Sequence, residues 1–155
     1  MPQPFLVHYT LRPATPADAA FLYDLHVAAM RDVIEATWGW DGAWQRRHFD
    51  EQFSPERIQL IVVAGEPVGM LEVEDRPDDT FVANIKLLPK MQGHGLGSAV
   101  MRDVLARAAG RGVPVRLQVL RVNAGARHLY ERLGFVVTGE APPHIRMEHV
   151  AKDAG

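Results

Sequence analysis

Leu87-Leu88-Pro89-Lys90-Met91-Gln92-Gly93-His94-Gly95-Leu96-Gly97-Ser98 is the stretch on which the reading of this chain turns. An apolar run ends there, a glycine-rich turn opens, and a helical pattern begins. Pro89 has no N–H to donate to a strand ladder and closes the strand. Three glycines give the backbone left-handed freedom and let its N–H groups approach a ligand with no side chain in the way. From Leu96 onward, Val100, Met101, Val104, Leu105 and Ala108 keep helical spacing, which sets the turn at a helix N-terminus. The unpaired N–H groups and the dipole of such an end favour a phosphate.

The glycine spacing narrows the ligand. A Walker loop ends in Gly-Lys-Ser/Thr, and Gly95-Leu96-Gly97-Ser98 has no lysine there. A dinucleotide fingerprint wants its third glycine where Ser98 stands and an acidic residue about 20 positions on, which Arg116 to Val119 does not supply. What remains is Gln-x-x-Gly-x-Gly, from Gln92 to Gly97. Taken alone, such a turn is also read as a plain strand-to-helix connection without a ligand.

The turn sits in a chain of 155 residues, 47% hydrophobic and 23% charged, which predicts one domain over residues 1–155. A net charge of -2 with scattered arginines carries no nucleic-acid footprint. Without cysteine there is no disulfide framework, thiolate metal site or cysteine nucleophile. The seven histidines show no metal-ligand spacing, so no metal is expected. Met1 to Val7 lacks a basic leader, and no apolar run is long enough to span a membrane. Those features predict a cytoplasmic protein with no membrane partner.

Outward from the turn, both flanks alternate strands and helices. Upstream, Leu6 to Arg12 reads as a strand closed by Pro13, and Thr15-Pro16-Ala17-Asp18 as a capped helix start with Phe21, Leu22, Leu25, Ala28 and Ala29 on its apolar face. Trp38, Trp40 and Trp44 crowd the segment after it. One reading makes them core filling, with a helix from Asp41 to Phe53 turning Trp44, His48 and Phe49 inward; the other makes them a pocket wall with Glu35 and Asp41 supplying polarity. Ile58–Ala64, Val68–Asp75 and Thr80–Leu88 read as three consecutive strands, Met70, Glu72 and Glu74 sharing one face of the second. Downstream, Gly110 and Gly112 stop the motif helix, and Val113 to Val122 is a strand. Asn123 caps a helix through Ala124–Leu133 that ends at Gly134, and Phe135–Gly139 and Ile145–Val150 close the chain as strands.

This order, the Gln92–Gly97 motif and a second signature, Asn123 followed by Leu129-Tyr130-Glu131-Arg132-Leu133-Gly134-Phe135, together resemble the GNAT N-acetyltransferase superfamily. The resemblance covers nearly the whole chain. It implies an α/β GNAT fold: a mixed, mostly antiparallel sheet flanked by helices, its central strands splayed where the motif strand and Val115 to Val119 run parallel. It implies acetyl-CoA as cosubstrate. Gln92, Gly93, His94, Gly95, Leu96, Gly97 and Ser98 match the pyrophosphate loop, although His94 also reads as a plain surface histidine. Ile85, Lys86 and Leu87 match the strand segment whose main chain pairs with the pantetheine arm, with the Ile85 N–H near the thioester oxygen. Asn123 and Tyr130 match the positions that contact the cofactor and protonate the leaving thiolate. A packed helix tyrosine is the alternative for Tyr130.

The chain departs from the family at one position: where the histone-acetylating branch carries a glutamate early on the motif strand, Phe81 stands here. An amine of pKa about 10.4 is only about one-thousandth neutral at pH 7, so another group must take its proton. Glu72 and Glu74 are the candidates, with Glu35 or Asp41 as further contributors from the tryptophan segment, against the alternative that strand glutamates simply face solvent. Glu35, Trp38, Trp40 and Glu74 are candidate acceptor contacts. The resulting expectation is direct transfer of acetyl from acetyl-CoA to a primary amine, of a small molecule or peptide, in a ternary complex; a homodimer is compatible with it. A catalytically silent acyl-CoA-binding module is the alternative.

Overall fold

In a computed structural model the structure describes residues 8–151. Strand β1 (Thr10–Pro13) leads through one turn of 3-10 helix into α1 (Ala19–Trp38), and α2 (Gly42–Gln52) follows. Three strands come next, β2 (Gln59–Val63), β3 (Glu66–Asp75) and β4 (Thr80–Leu87), then α3 (Leu96–Arg111), β5 (Val115–Leu120), α4 (Ala124–Arg132), β6 (Val136–Ala141) and β7 (His144–His149). The seven strands form one sheet in the order β1-β2-β3-β4-β5-β7-β6. Antiparallel registers join β1 to β2, β2 to β3, β5 to β7 and β6 to β7, and Thr80–Val82 of β4 pair in parallel with Val115–Leu117 of β5. The fold is therefore the mixed, mostly antiparallel α/β sheet the sequence predicts.

By its internal contacts the chain forms two compact units, one of residues up to Glu72 with Asn84–Leu96, the other of Val73–Ala83 with residues from Gly97 on. In the first, Ala14, Leu22, Leu25, Leu60 and Met70 form a buried cluster against which Phe21, Phe49 and Phe53 pack. The start of α1 is fixed as expected: the Asp18 carboxylate accepts the Thr15 N–H at 2.8 Å and pairs with Arg12 at 3.0 Å, which holds its pKa below the usual carboxylate value. Pro16 opens that turn, as a residue without an N–H can.

In the second unit the turn between β3 and β4 is clamped. The Asp79 carboxylate, 3% exposed, accepts from Arg76 at 2.7 Å and from Arg116 at 3.2 Å, and Arg116 also reaches Glu148 at 2.7 Å. Arg107 and Arg111 pair with Asp75. The buried side chains of this unit include Val100, Met101, Val104 and Ala108 on α3, in the spacing read from the sequence, with Leu117, Val119, Ile145 and Met147.

Several expectations are corrected. The strand drawn from Leu6 begins at Thr10; Leu6 and Val7 lie outside the described residues. Trp44 does not fill the core. It is 48% exposed and its ring stacks on exposed His48 at 4.7 Å, while Gln45 turns inward. The inward face of α2 runs through Gln45 and Phe49, so Trp44 and His48 lie off the predicted phase. Met70 and Leu71 are both buried, because β3 is covered on both faces there and alternation fails.

Gly69 marks the tightest approach in this sheet. A Cβ built there would run into the Lys86 carbonyl oxygen and stand 2.7 Å from Leu87 Cδ2 and 3.3 Å from Ile61 Cδ1. Backbone cannot yield as a flexible side-chain end does, so Gly69→Ala is expected to destabilise the protein by about 2–3 kcal/mol, at the upper end of overpacking costs. An unchanged urea midpoint would show that the strands have room.

Candidate functional site

The end of β4 is held by main-chain and side-chain contacts. Leu88 donates its N–H to Val68 O at 2.9 Å, Lys86 O lies against Gly69, and the Gln92 side-chain amide donates to Leu87 O at 3.1 Å. Pro89–Met91 then make one 3-10 turn, closed by Met91 N–H to Leu88 O at 2.8 Å and Gln92 N–H to Pro89 O at 3.1 Å. With both its amides engaged, Gln92 braces the loop. The N–H groups aimed elsewhere begin at Gly93.

Gly93 and Gly95 take φ of 78° and 85°, a region that side-chain-bearing residues enter at a cost of about 1–2 kcal/mol. A Cβ at either would meet nothing within 4 Å, so the turn presents its backbone to open space. Gly97 is different from the expectation: it belongs to α3 and has no left-handed φ. Leu96 anchors the helix start, fully buried, and the N–H groups of Leu96, Gly97, Ser98 and Ala99 are those a helix N-terminus leaves without intrahelical partners. His94 is exposed at the tip. This cradle has the donors, the dipole and the clearance that a diphosphate needs.

Ile85, Lys86 and Leu87 are half-buried along the second half of β4. The side chain of Lys86 adds something the motif reading missed. Its Nζ lies 3.2 Å from His26 Nδ1 on α1, and His26 Nε2 lies 2.8 Å from Gln45 Oε1 on α2. A neutral imidazole protonated on Nε2 satisfies both bonds, and we assign that tautomer from the network. Burial, then the nearby Lys86 charge, holds the His26 pKa below its ordinary value. Burial also pulls the Lys86 ammonium down to about 8, and Glu72, half-buried on β3, opposes that fall. The available signal was modest: His26 sits four positions after Leu22 on a face that is otherwise apolar.

The other predicted acceptor contacts divide. Trp40 is half-buried, its ring 6.0 Å from that of His26 and capped by Arg31 at 5.4 Å. Trp38 is 61% exposed, and Glu35 is exposed near the end of α1. Asp41 caps α2 by accepting the Trp44 N–H at 3.1 Å. Glu74 is exposed and raises the Arg76 pKa by its charge.

In the second unit, Asn123 caps α4, its side-chain oxygen accepting the Ala126 N–H at 3.2 Å. Tyr130, on that helix, is 7% exposed, with its ring 5.6 Å from that of Phe135. Its phenolic oxygen has no hydrogen-bond partner among the described residues, yet it is not enclosed. Burial pushes its pKa up to about 12, so the proton stays on oxygen at neutral pH. Phe81 is covered by the Arg76 guanidinium at 4.6 Å, a packed aromatic where the histone-acetylating branch would carry its glutamate. Among the described residues no group of His, Asp or Glu could hold a metal ion, and no helix is long and apolar enough to cross a membrane.

Because the folded chain holds the Lys86 proton less tightly than the unfolded chain, whose lysine titrates near 10.4, the unfolded state binds more protons between the two pKa values. Folding is therefore penalised in full below about pH 8, and the penalty fades as pH rises toward about 10. Lys86→Met should raise stability by about 1–2 kcal/mol at pH 7, after allowance for the lost bond to His26, and gain less at pH 10. Equal urea midpoints for variant and wild type at pH 7 would show that the ammonium is well solvated.

Comparison with known proteins supplies the remaining step. The sequence model of the Acetyltransferase (GNAT) family matches residues 19–135. A mycothiol acetyltransferase of Streptomyces coelicolor is 33% identical over 105 residues, 61% of this chain, which spans only 33% of that relative's length. The PaiA N-acetyltransferase of Thermoplasma acidophilum, solved in complex with coenzyme A, superposes with a TM-score of 0.78 at 14% identity, covering 93% of this chain and 99% of that one. The ribosomal-protein-S18-alanine N-acetyltransferase of Escherichia coli gives 0.63 at 21% identity, with 95% and 98% covered. These structures share the fold, and the family model spans more than half of the sequence: the chain belongs to the GNAT acetyltransferase family.

Proposed function

We propose that the protein moves an acetyl group from acetyl-CoA to a primary amine by direct attack in a ternary complex. The observation that carries this reading most is the β4-to-α3 turn, whose two left-handed glycines present bare backbone at a helix N-terminus. The N–H groups from Gly93 to Ser98 hold the CoA diphosphate. The main chain of Ile85–Leu87 pairs with the pantetheine arm, and the Ile85 N–H faces the thioester oxygen. A donor preorganised there stabilises the developing oxyanion by roughly 3 kcal/mol.

The amine attacks the thioester carbon, and the bond to sulfur breaks as the tetrahedral intermediate collapses. Glu72, half-buried on β3, accepts the amine proton directly or through water. Tyr130 donates to the departing sulfur; its neutral phenol is the form that can do so. The oxygen of Asn123 is engaged at the α4 cap, which leaves its side-chain N–H2 for the cofactor. No covalent enzyme intermediate is required.

Two substitutions separate binding from chemistry. Gly95→Val places a branched residue at φ 85° and a side chain in the space the diphosphate enters, so CoA affinity by titration calorimetry should fall at least about tenfold while the circular dichroism spectrum stays native. Unchanged affinity would reject the loop assignment. Tyr130→Phe removes one oxygen and keeps the ring. Acceptor-dependent thiol release should drop by about 10²-fold with little change in CoA dissociation, whereas turnover within about threefold of wild type would leave Tyr130 as a packing residue. CoA binding without thiol release for any amine in a library would return the chain to the silent acyl-CoA-binding reading.

A further inference from the structure

Lys86 and Glu72, both half-buried, are the exceptions among the described residues in how this protein treats its desolvated charges. Asp79 is buried and takes two arginines, and Glu148 is matched by Arg116. Lys86 is half-buried, and its one hydrogen bond goes to a neutral imidazole. Among the described residues it forms no ion pair. Glu72 is near enough for its charge to be felt. An ammonium has three N–H donors, and His26 Nδ1 accepts one. An ammonium partly withdrawn from water with donors left unmatched works against stability, and such arrangements gather at functional sites.

The surroundings say what would match it. His26 is fixed between Lys86 and Gln45, so the lysine head is aimed rather than free to swing. Gln45 belongs to α2, His26 to α1 and Lys86 to β4, and three elements thus converge on one positive group. Among the described residues the carboxylate whose charge acts on Lys86 is Glu72, and the charges felt by His26 are those of Lys86 and His48. Lys86 follows Ile85 directly, and strand alternation sends its side chain to the face opposite that of Ile85. A singly charged oxyanion suits the remaining donors, while Glu72 repels a dianion and favours an ammonium.

Resting on the acetyl-transfer reading above, we infer that the acceptor is a zwitterion: its carboxylate docks on Lys86 and its amine lies toward Glu72. The substrate class is then an amino acid or an amine with a carboxylate on a short spacer. Lys86 sets specificity by charge-assisted hydrogen bonding, and His26 and Gln45 position it. Trp40, half-buried beside His26, gives the class an aromatic flank to lie against.

The test uses the full chain with acetyl-CoA and matched acceptors that differ only in the carboxylate, phenylalanine against 2-phenylethylamine and lysine against cadaverine, read as kcat/KM from thiol release. Wild type should favour the carboxylate member by about 30-fold or more at pH 7, and the preference should shrink as pH passes about 8 and Lys86 loses its proton. Lys86→Met should bring the ratio within about threefold of unity, and Lys86→Arg should keep part of it. Equal or better use of the decarboxylated amines by wild type would overturn carboxylate recognition and leave acetyl transfer standing. A ratio untouched by Lys86→Met, or one that grows with pH, would overturn it as well. Thiol release from none of the pairs, with CoA still bound, would overturn this inference; the transfer reading falls only if a full amine library also gives no release, a pattern distinct from indifferent turnover.

Discussion

The structure depends on how closely β4 is pressed against β3. Where Gly69 meets the Lys86 carbonyl there is no space for a side chain, so the main chain of β4 is positioned by backbone contact rather than by compressible side chains. That is an unforgiving constraint, because a backbone shift moves every residue that follows. Leu88 N–H on Val68 O and the Gln92 amide on Leu87 O extend the same rail to its last residue. The glycine turn starts from a strand end whose place is fixed. A cradle for a charged group has to be preorganised in this way, since donors that must first be gathered lose affinity to the ordering.

Much of this was legible in the sequence because the relevant residues have few conformational alternatives. Pro89 cannot sit in a ladder, and Gly93 and Gly95 do adopt the left-handed φ that their place in the turn implies. Asn123 and Thr15-Pro16-Ala17-Asp18 mark helix starts, and both stand where helical structure begins, the second as a single 3-10 turn ahead of α1. Leu96, Val100, Met101, Val104 and Ala108 are buried as their spacing requires. Gly97 was the overreach: three glycines in a row of alternates suggest three special conformations, but the last is an ordinary helical residue.

The rest was hidden for identifiable reasons. Trp44 looked like core because tryptophan buries large area, yet α2 is a short helix with few apolar residues, and a phase error of one position exchanges Trp44 for Gln45. The β3 strand looked two-faced because Glu72 and Glu74 alternate with Leu71 and Val73, but a strand in the middle of a sheet is covered on both sides over Val68–Leu71. His26 and Gln45 carry no motif. They are found only because tertiary packing brings positions 19 residues apart within 2.8 Å, and Lys86 joins them from 60 residues away.

That triad also sorts the two kinds of polar burial in this chain. The arginine network around Asp79 is complete: carboxylates and guanidiniums meet at 2.7–3.2 Å and each lowers or raises the other's pKa in the stabilising direction. Breaking it would leave a buried charge alone, so it holds the β3–β4 turn whatever else the protein does. Around Lys86 the sense is reversed. Burial works against the charge, the partner is neutral, and the nearby glutamate compensates only in part. Packing alone would favour an uncharged side chain at that position. Persistence of an ammonium there is a local conflict between fold and sequence, and conflicts of this kind concentrate where a ligand completes what the protein leaves open. The group that completes it must bring negative charge to a lysine whose preceding residue, Ile85, is the one proposed to meet the thioester, and it is this adjacency that turns an unmatched lysine into a statement about the substrate.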